Sequence, residues 1–134
     1  MVKVRIRTNK RQELREITTE VAEAVASSGL QEGLVHIYVP HTTAGVLINE
    51  NADPSVRADI EALLSRIVPY DFPYTHLEGN GAAHVKSSLV GSGVFVPFEG
   101  GKLRLGRWQG IFFCEFDGPR SREVWFTFIA AAKT

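Results

Sequence analysis

Hydrophobic and polar residues alternate along several short segments of this 134-residue chain, a pattern typical of half-buried strands. Val2, Val4 and Ile6 alternate with basic residues, and we expect residues 13–17 to form the hairpin partner of this first strand. β-branched and aromatic residues favour strands elsewhere too. They predict strands at residues 34–40, 46–49, 94–98, 102–105, 110–116 and 123–130.

Apolar residues at helical spacing predict two clear helices and a shorter third one. The first follows residue 18, with Thr18 as its cap and Gly29 at its end. The second begins at Asp53, which is a suitable N-cap, with Pro54 in the first helical position. Its apolar stripe consists of Val56, Ile60, Leu63, Leu64 and Ile67.

The third helical segment, at residues 82–91, is expected to turn Ala82, Val85 and Leu89 inward. Residues 69–81 read as an irregular loop, and a loop of that length in a small domain is often functional. The whole pattern predicts a single α+β domain over residues 1–134. Its core is a mostly antiparallel β-sheet or sandwich, with two or three helices.

Composition narrows the classes of partner. Lys and Arg number 15 and Asp and Glu number 15, so the formal net charge is zero, which disfavours nucleic acid. No apolar run reaches the roughly 20 residues that span a bilayer, so no membrane partner is expected. The first ten residues lack the apolar stretch of a signal peptide, and we expect a cytoplasmic protein. Cys114, the single cysteine, lies in an apolar run and is interpreted as a buried side chain, with a nucleophile as the alternative.

Three of the four histidines lie in segments rich in Gly, Asn, Thr and Pro. His41 follows a strand-ending proline, and His76 and His84 flank a Gly-Asn turn, whereas His36 lies inside a strand and is interpreted as structural. Imidazole suits both metal ligation and proton transfer near neutral pH. Three protein ligands with an open position are typical of a catalytic divalent metal, and His41, His76 and His84 would make such a set.

The histidine spacing matches no standard zinc motif, so two other interpretations stay open. One imidazole can act as a general acid or base while the others contact phosphate, or the three can be unrelated loop residues. Neighbouring polar groups favour an anion site, since helix N-termini, hydroxyls and Arg bind phosphate. The groups are Thr42, Thr43, Lys86, Ser87, Arg120 and Arg122, and Glu50 and Glu115 add carboxylates for a base or a metal.

Three motifs together resemble the YjbQ-like family, and they run through most of residues 41–124. They are HTTAGVLINENADPSVRADIEALL, YTHLEGNGAAHVKSSLVGS and VPFEGGKLRLGRWQGIFFCEFDGPRSREV. Arg107 departs from the family pattern, in which many members have Thr, and we assign it no role. The resemblance implies an α+β fold, a homotrimer, and a polar histidine pocket near subunit boundaries that sometimes holds a metal or an oxyanion.

The resemblance also implies roles for particular residues. His41, His76 and His84 become the metal or acid–base residues, and a divalent metal such as Zn or Mg is the cofactor to expect. The supporting polar residues that it implies are Asn49, Glu50, Asn80, Gln109, Glu115 and Arg120. The hydroxyls of Thr42, Thr43 and Ser87, proposed above from their residue type, complete the set of predicted substrate-binding residues. Some relatives are described as secondary thiamine-phosphate synthases, which join a pyrimidine methyl diphosphate to a thiazole phosphate and release pyrophosphate.

The leading functional hypothesis is therefore an enzyme that acts on a small phosphorylated or otherwise anionic metabolite, with thiamine-phosphate synthase activity as the candidate. A non-catalytic trimer that binds a metabolite or metal needs the same ligands. A metal-dependent hydrolase with a water nucleophile is the third hypothesis.

Overall fold

The computed structural model describes residues 1–133 and confirms the predicted α+β class, with three helices and two antiparallel sheets. The helices are α1 (Thr18–Ser27), α2 (Pro54–Ile67) and α3 (Gly81–Val90). The strands are β1 (Val2–Arg7), β2 (Glu13–Glu16), β3 (Glu32–Tyr38), β4 (Ala44–Glu50), β5 (Gly93–Glu99), β6 (Lys102–Leu103), β7 (Gln109–Glu115) and β8 (Ser121–Ala130).

The two sheets enclose the main apolar core. The order β1-β8-β3-β5-β6 forms the larger sheet and β2-β7-β4 the smaller one. Alternate residues of the larger sheet, such as Val35, Ile37 and Phe126, are buried against Val46 and Phe113 of the smaller. Val21 and Val25 of α1 join the same cluster. The apolar residues at every second position of these strands are therefore the ones buried between the two sheets.

The predicted hairpin between the first two strands is wrong. β1 pairs with β8, and β2 pairs with β7, with Leu14 opposite Cys114. Leu14 is buried in a second apolar cluster with Phe112 and Phe116, which α2 covers. Burial of Leu14 there explains why the strand joins the smaller sheet. Cys114 is fully buried, as expected, and burial raises the pKa of its thiol, which disfavours the nucleophile.

The helix starts were predicted correctly for α2 and incorrectly for α1. The Asp53 carboxylate accepts a hydrogen bond from the Ser55 backbone N–H at 2.9 Å, so the N-cap is confirmed. Thr18 does not cap α1. Its hydroxyl instead donates to Glu16 at 2.8 Å and accepts the Ile111 N–H at 2.9 Å, which ties the start of α1 to β2 and β7.

The predicted inward face of α3 is also wrong. Ala82 is buried, but Val85 and Leu89 are exposed, and the buried face consists of Gly81, Ala82, Ala83, Lys86 and Ser87. Small residues allow the helix to approach β4 closely. At Gly45 of β4, an added Cβ would lie 2.6 Å from the Gly91 carbonyl oxygen, so only glycine fits under the end of α3.

Lys86 is a buried cation whose contacts are with uncharged groups. Its Nζ donates to Gln12 Oε1 at 2.6 Å and lies 3.8 Å from the centre of the Tyr70 ring. Burial, assisted by the nearby Arg11 charge, lowers the pKa of Lys86 from 10.5 to about 8. The sequence suggested this residue as a cation for an anion site. The structure places it inside the molecule, where it supports α3.

Replacement of Lys86 by Met is predicted to remove most of the increase in the free energy of unfolding that the wild type shows between pH 8 and 10.5. The folded pKa lies below the unfolded one, so unfolding takes up protons between pH 8 and 10.5 and the wild type gains stability as pH rises. Relative to Lys86→Met, the gain is about 3 kcal/mol. Urea unfolding of both proteins from pH 7 to 10.5 measures it. A constant difference across that range would contradict the assignment.

Candidate functional site

A polar cleft forms where three segments meet: the turn between β3 and β4, the first half of α3, and the turn between β7 and β8. One part, with a volume of about 400 Å³, is lined by Pro40, His41, Thr42, Thr43, Glu78, Asn80, His84, Asp117, Arg120 and Arg122. An adjoining part of about 380 Å³ shares His41, Thr42 and His84, and adds Ser87, Ser88, Gly91 and Ser92. His41 and His84 thus lie on both parts of one cleft.

A buried ion pair forms the floor of this cleft. Arg122 Nε donates to Glu115 Oε1 at 2.8 Å, and Arg122 Nη2 donates to Glu115 Oε2. Glu115 is fully buried and Arg122 is only 6% exposed. The Thr8 hydroxyl donates to the same carboxylate at 2.7 Å and the Asp117 N–H at 3.0 Å, so both oxygens are satisfied.

These contacts also set the charge of Glu115. Burial alone would raise the pKa of this carboxyl, but hydrogen bonds from Arg122, Asp117 and Thr8 outweigh burial and hold the pKa below its ordinary value. Glu115 is therefore ionised near neutral pH. The hydrogen bonds of Glu115 hold neighbouring groups in place. We therefore assign this residue a positioning role, although the sequence suggested a catalytic carboxylate.

The turn between β3 and β4 is anchored from three sides. Arg122 Nη2 donates to Thr43 Oγ1 at 2.9 Å and to the Thr43 carbonyl at 3.3 Å. Ser87 of α3 donates from its hydroxyl to the Ala44 carbonyl at 2.7 Å. The Phe116 N–H donates to the Thr43 carbonyl at 3.2 Å. Thr43 and Ser87 are both buried, so these two predicted substrate residues chiefly hold the wall that presents Thr42 and His41.

His41 is held as a neutral imidazole. Its Nε2 accepts a hydrogen bond from the Glu123 backbone N–H at 2.9 Å, which places the ring proton on Nδ1. Burial, and then the Arg122 charge, lowers the pKa of His41 below its ordinary value of 6.5. This imidazole can donate through Nδ1–H to a ligand without carrying a charge.

The two other candidate histidines, His76 and His84, meet beside the first turns of α3. The rings of His76 and His84 are 5.0 Å apart between centroids and nearly perpendicular. With Tyr74, Thr75, Gly81 and Val85 they line a hollow of about 280 Å³. His76 Nε2 also lies 3.8 Å from Glu78 Oε2. His84 therefore borders both this hollow and the main cleft, whereas His76 lines the hollow and is not among the residues that line the cleft.

Arg120 and Asn80 are joined across the cleft mouth by Asp117. The Arg120 guanidinium donates to Asp117 Oδ2 at 2.9 Å and, from Nε, to the Asp117 carbonyl at 2.7 Å. Asn80 donates from Nδ2 to the same Asp117 oxygen at 2.9 Å. Arg120 remains half exposed, and Asn80 Oδ1 is buried without a partner in the part of the chain described. A carboxylate thus orients one cation and one amide toward the cleft.

Asn49, Glu50 and Gln109 lie at the other end of the smaller sheet. Glu50 is paired with Gln109, while Ala44, at the start of the same strand, is paired with Glu115. The two ends, Ala44 and Glu50, are six residue steps apart along the strand, which is about 20 Å. Glu50 accepts the Asp53 N–H at 3.1 Å and Gln109 accepts the Gly106 N–H at 2.7 Å. Within one chain these residues shape turns and do not join the histidines.

The three-histidine metal set is not assembled within the chain. Over residues 1–133, no three His, Cys, Asp or Glu side chains are arranged to hold a metal ion. His41 Nε2 is already committed to the Glu123 N–H, which a metal at that nitrogen would displace. The residues therefore do not fit a three-histidine metal centre in one chain, and we derive no step through a metal.

The residues at the site are not all those that the sequence predicted, and one predicted residue has a different role. Arg122 was expected to contact phosphate, but its Nε and Nη2 donors are used by Glu115 and Thr43. Tyr74 and Glu78 border the site and were not singled out. Glu78 lies in the same HLEGN segment as His76 and Asn80, so proximity to those residues was the available signal.

The site and fold together define a class: a small α+β protein whose two antiparallel sheets carry a histidine- and arginine-lined cleft at one end. A profile of the family described as "UPF0047 protein YjbQ-like" matches residues 2–131. The chain belongs to this family, as its motifs predicted.

Relatives at high identity share most of their length with this chain. It is 54% identical to a UPF0047 protein of Methanocaldococcus jannaschii, over 96% of this chain and 94% of that protein. It is 50% identical to the UPF0047 protein YugU of Bacillus subtilis, over 89% and 91%.

Solved structures agree with the fold. The crystal structure of an uncharacterised YjbQ/UPF0047 protein from Clostridium acetobutylicum superposes with a TM-score of 0.94 at 46% identity, covering 96% of this chain and all of that one. A conserved hypothetical protein from Thermus thermophilus gives 0.90 at 42%, covering 96% and 100%. Among the helices of residues 1–133, none is both long and apolar enough to cross a membrane.

Replacement of Glu115 by Gln is predicted to destabilise the protein by about 3 kcal/mol at neutral pH, because it leaves the buried Arg122 charge uncompensated. The loss shrinks as pH falls through the lowered pKa of Glu115, where the wild type itself loses the carboxylate charge.

The matched control is Glu99→Gln, which breaks an exposed ion pair with Arg104 at 3.2 Å and is expected to cost under about 1 kcal/mol. Chemical denaturation at pH 7 and pH 4 gives both values. If both variants lost the same free energy of unfolding, the buried Glu115–Arg122 pair would contribute no more to stability than an exposed pair.

Proposed function

We propose that this protein is an enzyme that binds a small phosphorylated or otherwise anionic metabolite in the cleft between His41, His84 and Arg120. The observation that carries the proposal is the convergence of these three side chains from separate segments onto one cleft. Each had been singled out by type, and they are 43 and 36 residues apart along the chain.

The donors around the cleft support an anionic ligand. Arg120 supplies a charged planar guanidinium, which suits phosphate oxygens. The hydroxyl of Thr42 and the neutral Nδ1–H of His41 add uncharged donors. Glu78 and Asp117 border the same space, so the ligand that fits best presents hydroxyl or amino groups as well as a phosphate.

The chemistry that suits this set is departure of a phosphate or diphosphate group. Negative charge develops on the leaving oxygen, and preorganised donors there lower the barrier. In this proposal Arg120 stabilises that charge and His84 supplies a proton. The thiamine-phosphate synthase reaction belongs to this class and is the specific activity we propose to test.

A non-catalytic metabolite-binding protein is the second proposal, since the same donors bind a ligand without turning it over. The metal-dependent hydrolase is not pursued, because the described residues do not assemble its metal set. The divalent metal, the homotrimer and the cytoplasmic location stay predictions.

Inorganic diphosphate is the simplest probe of the cleft. Isothermal titration calorimetry is expected to show binding that weakens about tenfold to a hundredfold in Arg120→Ala and in His84→Ala, as expected for lost charged hydrogen bonds. His36→Ala, a histidine on the outer face of the larger sheet, is the matched control and retains wild-type affinity. Equal weakening in His36→Ala, or binding that no variant alters, would contradict the proposed cleft.

Turnover separates the enzyme from the binding protein. The wild type, given the pyrimidine methyl diphosphate and the thiazole phosphate, is expected to release pyrophosphate at least tenfold faster than His84→Ala. A coupled pyrophosphate assay follows the release. If diphosphate binds in the cleft while both proteins release pyrophosphate at the same background rate, the second proposal replaces the first for this reaction.

A further inference from the structure

Tyr70 lies three residues beyond the end of α2 and contacts three other parts of the fold. Its hydroxyl donates a hydrogen bond to the Phe116 carbonyl at 2.8 Å, and the hydroxyl oxygen lies 3.3 Å from Gln12 Oε1. Two cations lie over its ring, with Arg11 Cζ and Lys86 Nζ each 3.8 Å from the ring centre. The direction in which the hydroxyl points is therefore fixed by contacts on the ring as well as at its end.

Lys86 makes these contacts as a buried cation. Its Nζ donates to Gln12 Oε1 at 2.6 Å and lies 3.4 Å from Ser65 Oγ, and none of its described contacts is with a negative charge. A buried charge without an opposite charge lowers stability, and a cation–π contact recovers only part of that loss. A methionine would fill similar space without the charge. The charge of Lys86 therefore indicates a role beyond packing.

The backbone of Phe116 joins the Tyr70 hydroxyl to the wall of the cleft. The Phe116 N–H donates to the Thr43 carbonyl at 3.2 Å, in the turn that carries His41. The Phe116 carbonyl accepts the Tyr70 hydroxyl, and no other donor to that oxygen is found among residues 1–133. Burial raises the pKa of Tyr70 to about 12, so the hydroxyl keeps its proton and donates near neutral pH.

One peptide unit carries this contact into the turn between β7 and β8. The carbonyl of Phe116 and the N–H of Asp117 belong to the same planar unit. Tyr70 binds the carbonyl at 2.8 Å, and Glu115 Oε2 accepts the N–H at 3.0 Å. Phe116 is fully buried, so loss of the Tyr70 hydroxyl leaves an acceptor unpaired unless the peptide rotates.

Asp117 transmits any such rotation to the cleft mouth. Its carboxylate accepts the Arg120 guanidinium at 2.9 Å and the Asn80 side-chain amide at 2.9 Å. Asn80 ends the loop that begins after Tyr70 and lies at the N-cap position of α3. A change in the direction of Asp117 therefore moves both donors that face the cleft.

We propose that Tyr70 and Lys86 are positioning residues of the cleft, although neither lines it. Lys86 fixes the ring of Tyr70, and the Tyr70 hydroxyl fixes the peptide unit that precedes Asp117. That unit sets the direction in which Asp117 holds Arg120. The effect on the turn is independent of any ligand, whereas its part in binding rests on the proposed function.

The variant Tyr70→Phe removes only the hydroxyl and keeps the ring between its neighbours. In nitrogen-15 NMR spectra without ligand, the side-chain N–H signals of Asn80 and Arg120 are expected to move, because both groups follow Asp117. The matched control Ser28→Ala also loses a hydroxyl bonded to a backbone carbonyl, that of Val25 at 2.7 Å at the end of α1. It is expected to leave both signals in place. Thermal unfolding verifies that each protein is folded at the temperature used.

The variant Lys86→Met tests the other positioning residue, since it keeps most of the side-chain length and removes the cation. The same Asn80 and Arg120 signals are expected to move. Lys102→Met, at an exposed lysine of β6, removes a charge elsewhere and is expected to leave them unchanged. If the two signals keep their wild-type positions in Tyr70→Phe and in Lys86→Met, the positioning role is wrong.

Calorimetry with inorganic diphosphate tests the effect on binding. Tyr70→Phe is expected to bind about threefold to tenfold more weakly than the wild type, as for one lost hydrogen bond, while Ser28→Ala keeps wild-type affinity. Moved signals together with wild-type affinity would show that the cleft does not depend on this peptide unit, which overturns the proposal. If diphosphate binds none of the proteins while the signals move as expected, the proposed function fails and the control of the turn by Tyr70 stands.

Discussion

The buried ion pair between Arg122 and Glu115 is the constraint on which the cleft depends. Two charges out of water are tolerated only when their remaining hydrogen-bonding groups are satisfied, and here Thr8, Thr43 and the Asp117 N–H satisfy them. These partners come from the loop after β1, the turn before β4 and the end of β7. One pair thus fixes three segments that are remote in sequence, and both sheets meet at it.

The character of the site follows from this pair. Arg122 directs its Nε and Nη2 donors to Glu115 and Thr43, and its charge helps to keep His41 neutral. At the cleft mouth Asp117 orients Arg120 and Asn80, the groups that we propose contact a charged ligand. The same framework explains why Glu115 and Thr43, although typical catalytic residue types, act here by holding others in place.

Features that depend on local sequence were predicted correctly, whereas features that depend on tertiary contacts were not. The strand periodicities and the Asp53 cap were confirmed because side-chain alternation and capping are local. The pairing of β2 depended on where Leu14 is buried, and the inward face of α3 depended on Gly45 and on a lysine that Gln12 and Tyr70 hold inside. Likewise, residue type found His41, His84 and Arg120, but only the fold shows that Asn49, Glu50 and Gln109 lie at the far end of β4.

The central claim is that His41 and His84 form one anion cleft on the Arg122–Glu115 floor. Its most direct test is nitrogen-15 NMR of the histidine rings during titration with inorganic diphosphate. We expect a neutral Nδ1–H ring for His41 near pH 7, and ring signals of His41 and His84 that shift on saturation while those of His36 stay in place. Signals that shift equally for His36, or that do not shift at all, would contradict it.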